Sequence, residues 1–174
     1  PKIIKFKAGE GVEAMGKTPV HDVVKKIHPD IYKVPLFRRK FCSLLMKEIE
    51  HMKREIGFQP NEDEDELRQI PEIVLREHAP ELYRSMWFVV QTVLNPIFNA
   101  ISVVVPLNTG KYVGGGTAFH NYGEVAPLPT GHALFFPSFT HLHKGLPVES
   151  GDRYLLVFWL NNAKRIVELH EQIT

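Results

Sequence analysis

Four short runs in the second half of the chain limit its possible folds more than any other feature. Trp87-Phe88-Val89-Val90, Ile101 to Val105, Ala133 to Phe136 and Tyr154 to Trp159 are rich in aromatic and β-branched residues, and Gly, Pro and Asn lie between them. Such side chains fit a pleated surface and lose rotamer freedom in a helix. Short apolar runs bounded by turn residues therefore read as strands. Many short strands after an α-rich first half predict an α+β, mainly β, protein. The expected architecture is a compact antiparallel sandwich or jelly roll with the early helices packed on one sheet.

The first half supplies those helices. Thr18-Pro19 before Val20, Val23, Val24 and Ile27 has the form of a capped amphipathic helix with proline at its first position. His28-Pro29-Asp30 ends it, and Ile31 to Phe37 reads as a strand. Phe41, Leu44, Leu45, Ile49 and Met52 fall at helical spacing, and Gly57 stops that helix. Asn61 to Glu66 is an acidic run without the glycine and terminal glutamate spacing of a calcium loop, so it reads as a solvated loop. Leu67 to Met86 is a further helical stretch broken by Pro71 and Pro80. At the end of the chain, Ile166, Leu169 and Ile173 share one helical face. The organisation is one domain over 1–174. Residues 1–86 form a helical support, 87–160 the β core and 161–174 a closing helix.

Composition excludes several functions. A chain of 174 residues can bury one real core. Lys and Arg total 21 against 20 Asp and Glu, which argues against the basic stripe of a nucleic-acid partner. Cys42 is the only cysteine, so an internal disulfide and a thiolate zinc site are both ruled out. A reducing cytoplasm is compatible and slightly favoured. No run approaches the roughly 18 apolar residues of a membrane span, so no membrane association is expected. Pro1-Lys2-Ile3-Ile4-Lys5 has no signal-peptide layout and no initiator methionine, which fits a processed or trimmed chain. Oligomeric state is left open.

Chemistry concentrates in the β half, where His120, His132, His141 and His143 all lie. His141 and His143 alternate, so both could face one side of a strand. His141 reads as a structural hydrogen-bonding residue, and His120 and His132 as structural or surface residues. After a Gly145-Leu146-Pro147 turn, Gly151-Asp152-Arg153-Tyr154 opens an apolar strand. An arginine entering such a strand needs a partner, because an unpaired buried guanidinium is costly. A dicarboxylate would supply one through paired, charge-assisted hydrogen bonds.

Three segments together resemble a known family. YVGGGTAF (Tyr112 to Phe119), PLPTGHALFFP (Pro127 to Pro137) and THLHKGLPVESGDRYLLVFWL (Thr140 to Leu160) are similar to the distal half of the iron(II)- and 2-oxoglutarate-dependent oxygenases, in the prolyl and lysyl hydroxylase-like group. Upstream, VPLFRRKFCSLLMKEIEH is similar to the helix that these enzymes pack on their barrel. The resemblance implies a double-stranded β-helix, a jelly roll flanked by N-terminal helices. It implies His143 as the last metal-ligating histidine. It also implies Arg153, ten residues later, as the group gripping the far carboxylate of 2-oxoglutarate. The implied reaction is dioxygenase hydroxylation of a C–H bond, with Fe(II), 2-oxoglutarate and O2 and with ascorbate as an added cofactor. The implied substrate is a prolyl or lysyl side chain of a peptide or protein.

One part of the pattern is missing. The family's first histidine and its acid sit as His-x-Asp before the strand that ends here in Pro106-Leu107-Asn108. From Phe88 to Ala100 this chain has no histidine, aspartate or glutamate. Two readings follow: an inactive jelly-roll binding module that has lost its ligands, or a chain from which a segment after Gln91 is absent. The link is short for the family, which favours the second. A cupin-like sugar binder would leave the His143–Arg153 spacing without a role.

Overall fold

In the computed structural model, residues 23–60, 71–94 and 100–161 are described. The chain is mainly β. The main sheet has five antiparallel strands, in the spatial order β1 (Lys25–His28), β2 (Ile31–Pro35), β9 (His132–Pro137), β5 (Ala100–Pro106) and β12 (Leu155–Asn161). A three-stranded antiparallel sheet has β10 (His143–Gly145) beside β7 (Thr117–Phe119), followed by β8 (Gly123–Val125). Two short pairs complete the β structure: β6 (Tyr112–Gly114) with β11 (Val148–Gly151), and β3 (Gln59–Pro60) with β4 (Pro71–Glu72). These antiparallel sheets are consistent with a jelly-roll-like fold.

Register explains why the β runs are apolar on both sides. Tyr32, Phe135, Val103 and Phe158 lie opposite one another across four strands, forming a single row on one face. That face carries the larger core, into which helix α1 (Arg39–Glu55) inserts Cys42 and Leu45 and helix α3 (Pro80–Leu94) inserts Met86 and Val90. The neighbouring rows, Leu134–Val104–Val157 and Phe136–Ser102–Trp159, point to the opposite face. There Leu134 and Phe136 meet Phe119 and Val125 of the three-stranded sheet in a second core. A sheet covered on both faces needs continuous rather than alternating apolar residues. Phe135 and Phe136 are both fully buried, and each contributes about 1.5–3 kcal/mol by leaving water.

The helix on Phe41 to Met52 forms as its periodicity predicts and ends as predicted. Ile56 and Gly57 donate to the carbonyls of Met52 and Lys53, and Gly57 takes φ +74°. Two expectations are corrected. Lys25–His28 is a strand, not the end of a helix through Ile27. Pairing with β2 and packing of Ile27 on the second core outweigh its helical spacing. Trp87 to Val90 is helical, within α3, and not a strand. Leu82, Met86 and Val90 recur every fourth residue, so helical geometry puts all three on the core while Phe88 faces outward. The stretch from Leu67 to Met86 holds β4 and a short helix α2 (Leu75–His78) before α3 begins at Pro80. The acidic run and the closing helix lie outside the described residues.

Candidate active site

His143 opens β10 opposite Phe119, and Gly145 closes it opposite Thr117. Alternation puts His143 and Gly145 on one side of the strand, the side that Phe119 and Thr117 bury. The His143 ring rests edge-on against Phe136 of the main sheet, centroids 4.5 Å apart at 69°, and it lies 6.1 Å from Phe119. The ring therefore leans on the main sheet, while His143 as a whole is exposed to solvent. Nδ1 is 2.8 Å from the carbonyl of His141. A carbonyl only accepts, so Nδ1 is the donor, and in the neutral ring that leaves the lone pair on Nε2. This backbone-fixed tautomer is the one a metal-ligating histidine uses.

Arg153 reaches the same side of β10. A Cβ on Gly145 would sit 3.3 Å from Arg153 Nη2, and one on Gly115 would sit 2.9 Å from Nη1. Glycine at both positions leaves the space that the guanidinium fills. Gly114, Gly115 and Gly116 all have positive φ, and their turn brings the Gly116 carbonyl to 3.3 Å from Arg153 Nη1. Among the described residues that is the one polar partner of the guanidinium. Its other N–H groups can take a carboxylate in the paired geometry that suits both. The glycine triplet, read alone as a turn, is thus one wall of an arginine cradle. A cleft of about 590 Å³ runs behind this wall, between Gly114, Gly115, Leu146 and Pro147, with Glu124 and Glu149 on its sides.

The other histidines are engaged differently. His141 is buried, with Nδ1 2.9 Å from Thr140 Oγ1, Nε2 3.2 Å from the Pro29 carbonyl, and its ring stacked on Tyr122. It is the structural residue that its context suggested and does not join His143 on the strand. His120 is exposed, and His132 is half-buried with its Nδ1 enclosed and unpartnered among the described residues. Sequence reasoning did not single out Phe119 and Phe136 as the platform for His143. The only available signal was strand register, which a sequence does not print.

The donor set can be tested against the two groups the family resemblance implies. For 2-oxoglutarate the fit is good at one end: a guanidinium with free donors, in a cradle that any Cβ would fill. For iron the fit fails among the described residues. The usual site takes two histidines and a carboxylate on one face. Among the described residues no group of three His, Cys, Asp or Glu could hold a metal, and His143 stands alone.

Comparison with solved structures finds a similar fold. A prolyl 4-hydroxylase from Phytophthora capsici matches 78% of this chain and 59% of its own, with a TM-score of 0.50 at 17% identity. Sequence comparison narrows the relationship. The multifunctional procollagen lysine hydroxylase and glycosyltransferase of Caenorhabditis elegans is 27% identical over 186 residues, covering 82% of this chain. Human procollagen-lysine,2-oxoglutarate 5-dioxygenase 2 is 25% identical over 181 residues, covering 80%. No protein-family model matches the chain. The resemblance read from the motifs is borne out: the chain is similar to the prolyl and lysyl hydroxylase-like group, and its relatives are hydroxylases. It spans about a quarter of the length of the curated relatives it matches. The alignments also run longer than the chain's own share. For the first relative, 82% of 174 residues is about 143, so about 40 of the 186 aligned positions face a gap here.

Proposed function

We propose that this chain is the core of a 2-oxoglutarate-dependent protein hydroxylase, a double-stranded β-helix acting on a prolyl or lysyl side chain. The observation that carries the proposal is the guanidinium of Arg153. It is set between two glycines on the face of β10 that also bears His143, with one long backbone hydrogen bond and no acidic partner among the described residues. A buried-edge cation kept this free of protein partners is poised for an anionic ligand. Arg153 would hold the far carboxylate of 2-oxoglutarate and so orient its 2-oxo acid end towards His143. His143 would offer Nε2 as one metal ligand, its ring fixed by Phe136 and by the His141 carbonyl. A bound iron would supply oxygen activation, with ascorbate as an accessory reductant. The other two ligands are not found among the described residues, so no step is derived through the metal. The roughly 40 unmatched positions and the short link after Gln91 support a missing segment that carries them.

Calorimetric titration of the native protein with 2-oxoglutarate, in the presence of manganese(II), tests this. Arg153→Ala should weaken binding by about 2–4 kcal/mol, the loss of a paired, charge-assisted contact. Arg153→Lys should recover only part, because a point charge cannot reproduce the planar fork. His143→Ala should abolish manganese binding and leave the fold intact. The second reading, an inactive binding module, is favoured by the absence of any histidine or acid from Phe88 to Ala100. It takes over if the wild-type protein binds neither ligand.

A further inference from the structure

Arg153 lies in a short stretch outside the strand ladders. β11 ends at Gly151 and β12 begins at Leu155, so Asp152, Arg153 and Tyr154 belong to neither ladder. A side chain helps to hold their backbone. Asn108 Nδ2 donates to the carbonyl of Asp152 at 2.7 Å, and Asn108 Oδ1 accepts from the Tyr154 N–H at 3.0 Å. One amide thus bonds the residues before and after Arg153, as a residue of an adjacent strand would. The next backbone bond in line, Leu107 N–H to the Tyr154 carbonyl at 2.9 Å, carries the register onward into β12. Only a carboxamide offers donor and acceptor side by side for this task.

We infer that Asn108 is a positioning residue for Arg153, setting the affinity and selectivity of the site for a dicarboxylate. It touches no ligand itself. Its amide fixes the backbone from which Arg153 extends, and therefore where the guanidinium stands between Gly115 and Gly145. A guanidinium misplaced by a small shift still carries its charge but no longer meets both carboxylate oxygens in line. The inference rests on the proposed 2-oxoglutarate site.

The test compares two ligands on the intact native protein by calorimetric titration. 2-Oxoglutarate carries the far carboxylate, and 2-oxobutyrate has the same 2-oxo acid end without it. In the wild type the first should bind more tightly. Asn108→Ala should cut that preference about tenfold, the effect of a weakened pair of hydrogen bonds to a charged group, with 2-oxobutyrate affinity unchanged. Asn108→Asp keeps the acceptor for Tyr154 N–H and loses the donor, so it should retain an intermediate preference. If the alanine variant does not fold, the aspartate variant carries the test. Thr109→Val is the control, because it removes a neighbouring bond of similar length, Oγ1 to the Leu128 carbonyl at 2.7 Å, without touching the residues around Arg153. It should lower the melting temperature and leave the preference alone. Wild-type preference persisting in Asn108→Ala, or in Asn108→Asp where that variant carries the test, overturns the inference. So does an equal loss in Thr109→Val. A wild type with no preference for the dicarboxylate overturns the site itself.

Discussion

The stretch from Tyr112 to Arg153 and the link from Trp87 to Ala100 differ in how much chemistry each carries. In the first, every polar group of interest has a support. His143 has a ring beneath it and a carbonyl behind Nδ1, and Arg153 has a glycine on either side. In the second, the helix α3 runs on through Val90 to Leu94, and no side chain from Phe88 to Ala100 can ligate a metal as histidine or acid. An anion site and a metal site have different demands. A carboxylate can be held by one arginine in a shaped cradle. A divalent metal needs several donors converging from different elements. The first region thus offers a cradled arginine, and among the described residues it brings no group of three donors together for a metal.

The most severe way to break this comparison is to ask whether the link is whole. If a segment after Gln91 carries the remaining ligands, the native protein has an intact mass well above 19.9 kDa, and it binds manganese(II). A mass of 19.9 kDa and no metal binding would make the contrast permanent, and the molecule a binding module. Peptide mapping across Gln91 to Ala100, beside the intact mass, decides whether added residues lie in the link.

Core substitutions sharpen the contrast in a second way. Phe136→Ala and Met86→Ala each empty a fully buried site, one under His143 and one on the link helix. Chemical denaturation should show losses of about 3–5 and about 2–5 kcal/mol respectively. Only Phe136→Ala should also weaken metal affinity, since it removes the surface that orients His143. Equal effects of both variants on metal affinity would show that the ring is no platform.

Legibility followed the physical range of each signal. The strands at Ile31, Ile101, Ala133 and Leu155 were readable because runs of Val, Ile and Phe bounded by turns have few alternatives. Trp87 to Val90 has the same composition and was misread, because it is the residues before it, Leu82 and Met86, that complete the helical face. Local propensity lost there to packing. Ile27 was misread in the opposite direction, its helical spacing overridden by pairing with β2. Within the site, Arg153 could be singled out because a cation just before an apolar run is conspicuous, although the strand itself begins only at Leu155. Its cradle could not, because three glycines in a row announce only a turn until the strands around them are placed.

The glycine at 115 offers a smaller, more local test. It sits at φ +76°, where a side chain costs about 1–2 kcal/mol, and a Cβ would stand 2.9 Å from Arg153 Nη1. The guanidinium is the flexible end of its side chain and can give way, so Gly115→Ala should fold with a modestly lowered melting temperature. Its displaced arginine should bind 2-oxoglutarate more weakly, while manganese binding through His143 is unchanged. Loss of both together would mean that the turn, and not the cradle, had been damaged.

The smallest expected effect concerns Tyr154, which ties this region to the first helix. Its hydroxyl donates to Glu50 Oε1 at 3.1 Å. Burial, and then the hydrogen bond and negative charge of Glu50, raise its pKa above the usual value of 10.0. The folded protein therefore keeps this proton at a pH where the unfolded chain has released it. Stability from the contact is fully present below about pH 10 and is lost as pH rises through the raised folded value. Tyr154→Phe should cost at most about 1 kcal/mol at neutral pH, because the group is only partly buried and water competes for both partners. The variant should also lose less stability than the wild type above pH 10, since it has no phenol to ionise beside Glu50. Thermal melts of both proteins at neutral and alkaline pH give the comparison. Parallel alkaline losses in the two would show that the Glu50 contact does not hold the proton. The tie between α1 and the Arg153 segment would then rest on packing of the ring alone, against Phe58 at 6.3 Å.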